Sequence, residues 1–359
     1  MIYFVIIIIL FFFTICKEFP ECRSINYVLF IISTFILVLF AGFRGNIEPD
    51  YMNYASIYKE SIVSTPVDTG VEPGYFYFNK VLHYLGFGFQ WVIFLMAAIS
   101  IGIKAYFFKK YSPNFIFSLL LFYCSVYFLY DFIVIRQALA LSLFFVAIPY
   151  LLERRFIKYF AIILCASTIH ISALVLLPFY FFLNKNFNVI ILYSVIILCF
   201  YLNLTEIKVP LLSYLSNVLP IPDASLDKMY IYSLEEEFAS VSNKQIVFAL
   251  LFVFFKNKLP SNKMTNLLVN LYFFGILLAT LFNEIPQFAF RTKAYFLWTD
   301  VILIVLIIQH IAKKYITLKI ALYLIVAIIY SFTMSNFIES VAERGNYIFP
   351  YKTFFDPIF

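Results

Sequence analysis

The sequence predicts an all-helical protein that crosses a membrane many times, and three observations support this prediction. Of its 359 residues 64% are hydrophobic and only 13% are charged, whereas about a quarter of the residues in a soluble domain are charged. The apolar residues form runs of roughly 15 to 20, a length typical of membrane-spanning helices. Short clusters of Lys and Arg separate these runs. A soluble enzyme, a disordered chain and a nucleic-acid-binding protein are therefore excluded.

Each apolar run predicts a membrane segment, because about 20 helical residues span a hydrocarbon core of about 30 Å. The run at 156–183 is too long for one pass, so we expect a broken or re-entrant helical pair that turns near His170. A dip within 205–243 is the alternative. We therefore predict about ten full transmembrane helices plus this pair, in one transmembrane domain over residues 1–359. The runs are 2–16, 25–43, 90–108, 114–130, 137–152, 156–183, 187–203, 245–255, 264–283, 294–311 and 316–335.

The distribution of Lys and Arg predicts the side of each connection. Six short connections carry 15 Lys and Arg against three acids, while the rest of the chain carries 11 basic and 17 acidic residues. Positive charge concentrates in cytoplasmic connections. The longest connections, about 44–89 and 204–244, are therefore predicted to face outward. The six cytoplasmic connections are 17–24, 104–110, 153–158, 184–187, 256–263 and 313–319.

Three arginines are predicted at the outer ends of apolar runs: Arg44, Arg136 and Arg291. A guanidinium offers a planar fork of donors that suits phosphate oxygens, so three at one depth could hold a diphosphate. Simpler explanations are that Arg44 extends to the interface and that Arg136 pairs with Asp131. A charge between two apolar helices is costly unless it is paired or faces water, which favours a functional role for Arg136.

Carboxylates and tyrosines form two further clusters in the first outward connection. Asp50, Tyr51 and Tyr54 follow Arg44, and Glu72 and Tyr75 lie further along. Aromatic rings stack on sugar faces, while carboxylates accept hydrogen bonds from sugar hydroxyls. Tyrosines also form the aromatic belt at membrane surfaces, but a belt does not explain Glu72.

The histidines and cysteines show no spacing typical of a metal site. His83 and His310 have no partner at ligand spacing, and the five cysteines form no C-x-x-C pair, so no metal or other cofactor is predicted. His170 follows Ser167-Thr168-Ile169 at the predicted turn, where it would face the outer cavity. A hydrogen-bonded packing role is its alternative.

In four ordered motifs the chain resembles the EpsG-type branch of the Wzy polysaccharide polymerases, bacterial inner-membrane proteins that join lipid-linked sugar repeats. These motifs lie between about residues 40 and 180. They are Arg44 with Asp50-Tyr51-x-x-Tyr54, then Glu72-Pro73-Gly74-Tyr75, Arg136-Gln137-Ala138 and His170-Ile171-Ser172-Ala173. The rest of the chain is similar only in hydropathy and around Arg291.

The resemblance implies a glycosyltransferase of GT-C-like architecture at the periplasmic face of the inner membrane. It would polymerise undecaprenyl-diphosphate-linked repeat units into O-antigen or a similar surface polysaccharide, with a lipid-linked glycan as donor and another as acceptor. A chain-length regulator and other polysaccharide-assembly proteins are the implied partners. A lipid-linked oligosaccharide flippase and an O-antigen ligase are the alternatives. A flippase predicts mid-bilayer charges and internal repeats, whereas a ligase differs only in its acceptor.

The resemblance also implies roles for individual residues. The arginines would stabilise the leaving diphosphate without a metal, with Arg136 as a catalytic residue and Arg44 and Arg291 binding substrate. Asp50, Glu72 or His170 would take the proton from the attacking hydroxyl, and the sequence does not choose among them. The remaining implied substrate-binding residues are Tyr51, Tyr54, Tyr75 and Gln137.

Overall fold

The computed structural model describes residues 2–205, 241–345 and 347–356, with residues 286 and 287 described in their backbone only. These ranges are predominantly helical, and they contain one isolated bridge but no β-strand. Seven of their helices are long and apolar enough to cross a membrane, and four shorter apolar helices accompany them. The prediction of an all-helical polytopic membrane protein is confirmed. The exact number of spans and the GT-C-like architecture stay predictions.

The helices fall into two compact units, Met1–Leu174 with Ile304–Phe359, and Val175–Leu303. The expectation of a single transmembrane domain stays a prediction. In chain order the α-helices of the described residues are α1 Ile2–Glu18, α2 Asn26–Gly42, α3 Tyr51–Val63, α4 Pro66–Thr69, α5 Pro73–Tyr84, α6 Phe89–Tyr111, α7 Phe115–Phe122, α8 Ile135–Leu152, α9 Phe156–Ile169, α10 Val189–Leu204, α11 Asn243–Phe255, α12 Lys263–Leu281, α13 Pro286–Leu297, α14 Asp300–Ile311 and α15 Ile316–Gly345.

The connection over about 44–89, which was predicted to be an outward-facing loop, folds into the short helices α3, α4 and α5. One face of this layer is apolar and packs on α6, with Tyr54 and Leu82 against Val92 and Met96. The other face of this layer carries polar or exposed residues such as Lys59, because only one face of the layer packs on the core. The connection is therefore an ordered helical platform at the ends of the spans.

The long apolar run at 156–183 is broken at the residue where the sequence predicts a turn. Helix α9 ends at Ile169, and His170 adopts an extended conformation with φ −152° and ψ 115°. Two short 3₁₀ turns follow, Ile171–Leu176 and Pro178–Phe181. Re-entry into the membrane stays a prediction. Most of the alternative segment, 205–243, lies outside the described residues.

Helix α7 continues as a π-helix over Tyr123–Ile133, and a buried ion pair lies at its end. Both carboxylate oxygens of Asp131 lie 2.7 Å from Lys104 Nζ, and Ser100 Oγ donates to Asp131 at 2.5 Å. The Asp131 carboxylate is therefore paired with Lys104 on α6. The local pair between Asp131 and Arg136, which was the simpler explanation for Arg136, is not formed.

Two connections predicted to be cytoplasmic meet at one end of the first unit. Glu18 at the end of α1 accepts hydrogen bonds from Lys319 Nζ at 3.0 Å and from the Tyr323 hydroxyl at 2.9 Å. Asn114, before α7, also donates to Glu18 at 2.8 Å. These contacts agree with the prediction that residues 17–24 and 313–319 lie on the same side of the membrane. That this side is cytoplasmic stays a prediction.

Candidate active site

Three of the sequence-predicted residues meet at the start of α5. Glu72 Oε2 accepts a hydrogen bond from Arg136 Nη1 at 2.6 Å, and Glu72 Oε1 lies 3.2 Å from His170 Nδ1. The Ile171 backbone N–H also donates to Glu72 Oε1 at 3.3 Å. One carboxylate therefore joins α5, the beginning of α8 and the break after α9. We call Glu72, Arg136 and His170 the triad.

Local sequence explains why Glu72 can make these contacts. Pro73 suits the first position of α5, because its fixed φ matches the helix and it lacks the N–H that would be unpaired there. A residue before proline is restricted to extended conformations, and Glu72 has φ −57° and ψ 134°. Its side chain therefore leaves the helix start and is free to bridge the neighbouring elements.

Gly74 permits the close approach of α5 to the end of α9. A Cβ atom at this position would lie 2.4 Å from Thr168 Oγ1 and 2.7 Å from the Thr168 carbonyl oxygen. Distances below 3.0 Å are essentially never found for a Cβ atom. Glycine is therefore needed at position 74 for Glu72 to reach His170, which lies two residues after Thr168.

Electrostatics assign different roles to Glu72 and His170, the two members of the triad that can bind a proton. Burial raises the pKa of Glu72, but the hydrogen bond with His170 and the charge of Arg136 outweigh burial and lower this pKa to about 2. Glu72 is therefore an anion at neutral pH and a poor proton acceptor. A neutral imidazole beside this anion keeps its proton on Nδ1, which leaves Nε2 as the basic nitrogen.

The Nε2 atom of His170 is buried and has no hydrogen-bond partner among the described residues. A buried polar atom without a partner costs on the order of 1–3 kcal/mol. The lone pair of Nε2 can accept a hydrogen bond from a hydroxyl group or from a water molecule that reaches it.

Two buried tyrosines lie against the Arg136 guanidinium. Its central carbon is 5.9 Å from the centroid of the Tyr54 ring and 5.6 Å from that of Tyr75. The two rings contact each other edge to face at 6.0 Å. Cation–π contacts of this kind help to orient a guanidinium, and Arg136 also shares a side-chain hydrogen bond with Tyr54. Gln137, the next residue on α8, is also buried.

Arg44 lies in a separate, enclosed cluster. Its side chain is fully buried, with Nη1 donating to the Ala41 carbonyl at 2.7 Å and Nη2 lying 3.4 Å from Glu48 Oε1. The guanidinium carbon lies 5.0 Å from the centroid of the Phe132 ring. In this structure Arg44 therefore contacts protein groups, and its diphosphate-binding role stays a prediction.

Glu48 belongs to this second cluster, although it is not among the residues predicted from the sequence. Burial raises the pKa of Glu48, and the nearby Arg44 guanidinium opposes that shift. Its Oε2 accepts from the Asp50 backbone N–H at 2.7 Å, which holds Asp50 at the start of α3. The sequence signal that could have identified Glu48 is its position four residues after Arg44, which directly follows an apolar run.

The other predicted residues lie in different environments. Asp50 is half-buried. Burial of Tyr54 is the main cause of its raised pKa, and the negative charge of Asp50 raises that pKa further. Tyr51 donates from its hydroxyl to Gln90 Oε1 at 3.2 Å. Arg291 is exposed on α13 in the second unit, so its place beside the other arginines stays a prediction.

Comparison with known families identifies the class of protein. The family model described as the EpsG family matches residues 27–353. The chain belongs to the EpsG family. Membership suggests a polysaccharide polymerase-type function, since this is generally a glycosyltransferase-like polymerase family. No curated protein and no solved structure matches the chain significantly.

In this EpsG-family protein the matched range includes both the triad and the Arg44 cluster. Within residues 2–205, 241–345 and 347–356, no three His, Cys, Asp or Glu side chains are grouped to hold a metal ion. The triad offers an oriented imidazole, an anion that can stabilise the protonated form of that imidazole, and an adjacent guanidinium.

Proposed function

We propose that this EpsG-family protein polymerises undecaprenyl-diphosphate-linked repeat units at the periplasmic face of the bacterial inner membrane. The product is O-antigen or a similar surface polysaccharide. The donor is a growing glycan on one lipid diphosphate, and the acceptor is a repeat unit on another. The triad carries this proposal, because it holds a histidine nitrogen without a described partner next to an arginine. A chain-length regulator is a proposed partner.

In the proposed reaction, His170 Nε2 accepts the proton of the attacking acceptor hydroxyl. The hydroxyl oxygen forms a bond to the anomeric carbon of the donor, and the bond from that carbon to the diphosphate breaks with its electron pair going to the leaving phosphate. Glu72 stabilises the imidazolium that forms. General-base assistance of this kind contributes on the order of 10²- to 10⁴-fold to a rate. Of the three bases that the sequence allowed, this geometry favours His170.

Arg136 is proposed to stabilise the charge that develops on the leaving diphosphate. Its Nη1 is held by Glu72, and its side chain keeps 21% exposure. Its Nε is buried without a partner among the described residues. An arginine fixed on one side by a carboxylate presents its remaining donors in a defined direction, which suits phosphate oxygens. The diphosphate-binding roles expected for Arg44 and Arg291 stay predictions, because the Arg44 guanidinium is enclosed by protein groups in this structure.

The test uses the producing strain with this gene deleted, followed by gel analysis of its surface polysaccharide. We expect the polymer ladder to collapse to a single repeat, and wild type to restore it. His170→Ala at equal membrane abundance should not restore the ladder, whereas the control His83→Ala should. His83 contacts the Tyr58 hydroxyl instead of the triad. A normal ladder with His170→Ala would contradict the proposed role of His170.

One observation favours a transporter as the second candidate. The Lys104–Asp131 pair is buried within membrane-spanning segments, and ionisable residues at such positions frequently mark transport pathways. If the protein is a flippase or a ligase, the deletion strain should lose even the single repeat from its surface. Accumulated lipid-linked polymer would then indicate a ligase, and its absence would indicate a flippase.

A further inference from the structure

A cleft of about 560 Å³ opens where α2 ends and α6 begins. Its rim remains exposed, with Trp91 47% and Phe355 72% accessible. Because α2 and α6 both belong to membrane spans, their ends lie where bilayer and water meet. The cleft is lined by Phe43, Tyr51, Gly88, Phe89, Gln90, Trp91, Phe94, Phe354 and Phe355.

The carboxyl-terminal segment forms one wall of this cleft, and backbone contacts hold the segment in place. The Phe354 N–H donates to the Phe43 carbonyl at 2.9 Å, and the Gly45 N–H donates to the Lys352 carbonyl at 3.0 Å. The Tyr351 ring stacks on Phe40 at 4.4 Å with 14° between the ring planes. An ordinary aromatic belt is a surface feature, whereas one wall of this cleft is formed by a chain segment far away in sequence.

The two polar side chains that line the cleft are already hydrogen-bonded to protein groups, which indicates an apolar ligand. Tyr51 donates from its hydroxyl to Gln90 Oε1, and Gln90 Nε2 donates to the carbonyls of Gly42 at 2.7 Å and Arg44 at 3.2 Å. A sugar needs several hydrogen-bond partners, because its hydroxyls lose water on binding. A hydrocarbon chain needs none, and the remaining lining side chains are all Phe or Trp.

Helix α3 connects the cleft to the triad. Tyr51 lines the cleft, and Tyr54 lies beneath the Arg136 guanidinium at 5.9 Å. Residues three apart on a helix share a face, with their Cβ atoms about 5–6 Å apart. A ligand with an anionic head at Arg136 can therefore place an attached apolar chain in the cleft.

We infer that this cleft binds the first part of the polyprenyl chain of a lipid-diphosphate substrate. This inference rests on the proposed function, since the same substrate presents its diphosphate to Arg136. The remainder of the chain continues into the bilayer. The cleft aligns the diphosphate with the triad by holding the part of the chain next to it.

The experiment uses the full-length protein in nanodiscs and a polyprenyl diphosphate with a photoreactive group in its chain. We expect labelling of peptides from 88–94 and 351–356, and a fall of about tenfold in labelling for Trp91→Ala and Phe355→Ala. The control is Tyr84→Ala, which removes an aromatic ring that is 74% exposed on α5 and does not line the cleft. The control should label like wild type.

A kinetic arm separates the chain from the glycan. Repeat units are supplied on a polyprenyl carrier or on a short farnesyl carrier, and KM is measured for each. Trp91→Ala should raise KM about tenfold for the polyprenyl carrier, with kcat unchanged and with a much smaller effect on the farnesyl carrier. Equal losses on both carriers would overturn the inference, because they would indicate contact with the diphosphate or glycan.

The two proposals fail in different ways. Labelling needs no turnover, so labelling of the cleft in a protein that forms no polymer supports the inference and contradicts the proposed function. Polymerisation without labelling of 88–94 or 351–356 contradicts the inference and leaves the proposed function intact. Equal labelling of wild type, both cleft variants and Tyr84→Ala also contradicts the inference.

Discussion

Replacing Gly74 by alanine tests the contact geometry on which the candidate active site depends. The new Cβ atom would lie 2.7 Å from the Thr168 backbone carbonyl oxygen, and ordinary contact begins at 3.4 Å. Because a backbone atom cannot rotate away, the start of α5 must move by roughly 0.7 Å relative to the end of α9. The Glu72–His170 contact, now 3.2 Å, then exceeds the length of a hydrogen bond, and misplacement by about 1 Å costs on the order of 100-fold in rate.

The assay measures polymer formation from lipid-linked repeat units by purified Gly74→Ala protein. We expect a rate roughly 10- to 100-fold below that of wild type. Thermal unfolding in detergent should show a lower Tm, although alanine is a better helix former than glycine by up to about 1 kcal/mol. A rise in Tm would mean that the contact with Thr168 imposes no strain.

Gly102→Ala is the matched control, because nothing lies within 4 Å of a Cβ atom at that position. It lies within α6, away from the triad, and we expect its rate to stay within about twofold of wild type, as is typical of substitutions that disturb no packing. The reasoning is refuted if Gly74→Ala polymerises as well as Gly102→Ala.

Two further predictions concern stability. Folding lowers the pKa of Glu72 from 4.5 to about 2, so its ionised form contributes about 3 kcal/mol that is complete above pH 4.5 and is lost as the pH falls toward 2. Thermal unfolding at neutral pH and near pH 3 should therefore show a smaller acid-induced loss for Glu72→Gln than for wild type, and equal losses would contradict this. Lys104→Met leaves the Asp131 carboxylate buried without its cation and should cost about 3–5 kcal/mol. The double variant Lys104→Met/Asp131→Leu removes both charges and should lose much less stability in the same assay, whereas equal losses would argue against the pair.

The fold class followed from composition and from the lengths of the apolar runs, because a bilayer imposes both directly. The break at His170 followed from the same length argument, since the run at 156–183 exceeds a single crossing. The helical platform over about 44–89 was harder to predict, because its helices are short and amphipathic and their hydropathy resembles that of a loop. Those helices become ordered by packing Tyr54 and Leu82 on α6.

The sequence by itself determined the class of this protein and selected Glu72, Arg136 and His170 as candidates. Those conclusions depend on residue types and on the energetics of charge at the edge of an apolar run, which are local properties. Only the tertiary structure decided that Arg136 pairs with Glu72 and that Asp131 pairs with Lys104. Pairing depends on which helices are neighbours, and that depends on close contacts between distant parts of the chain, such as Gly74 with Thr168.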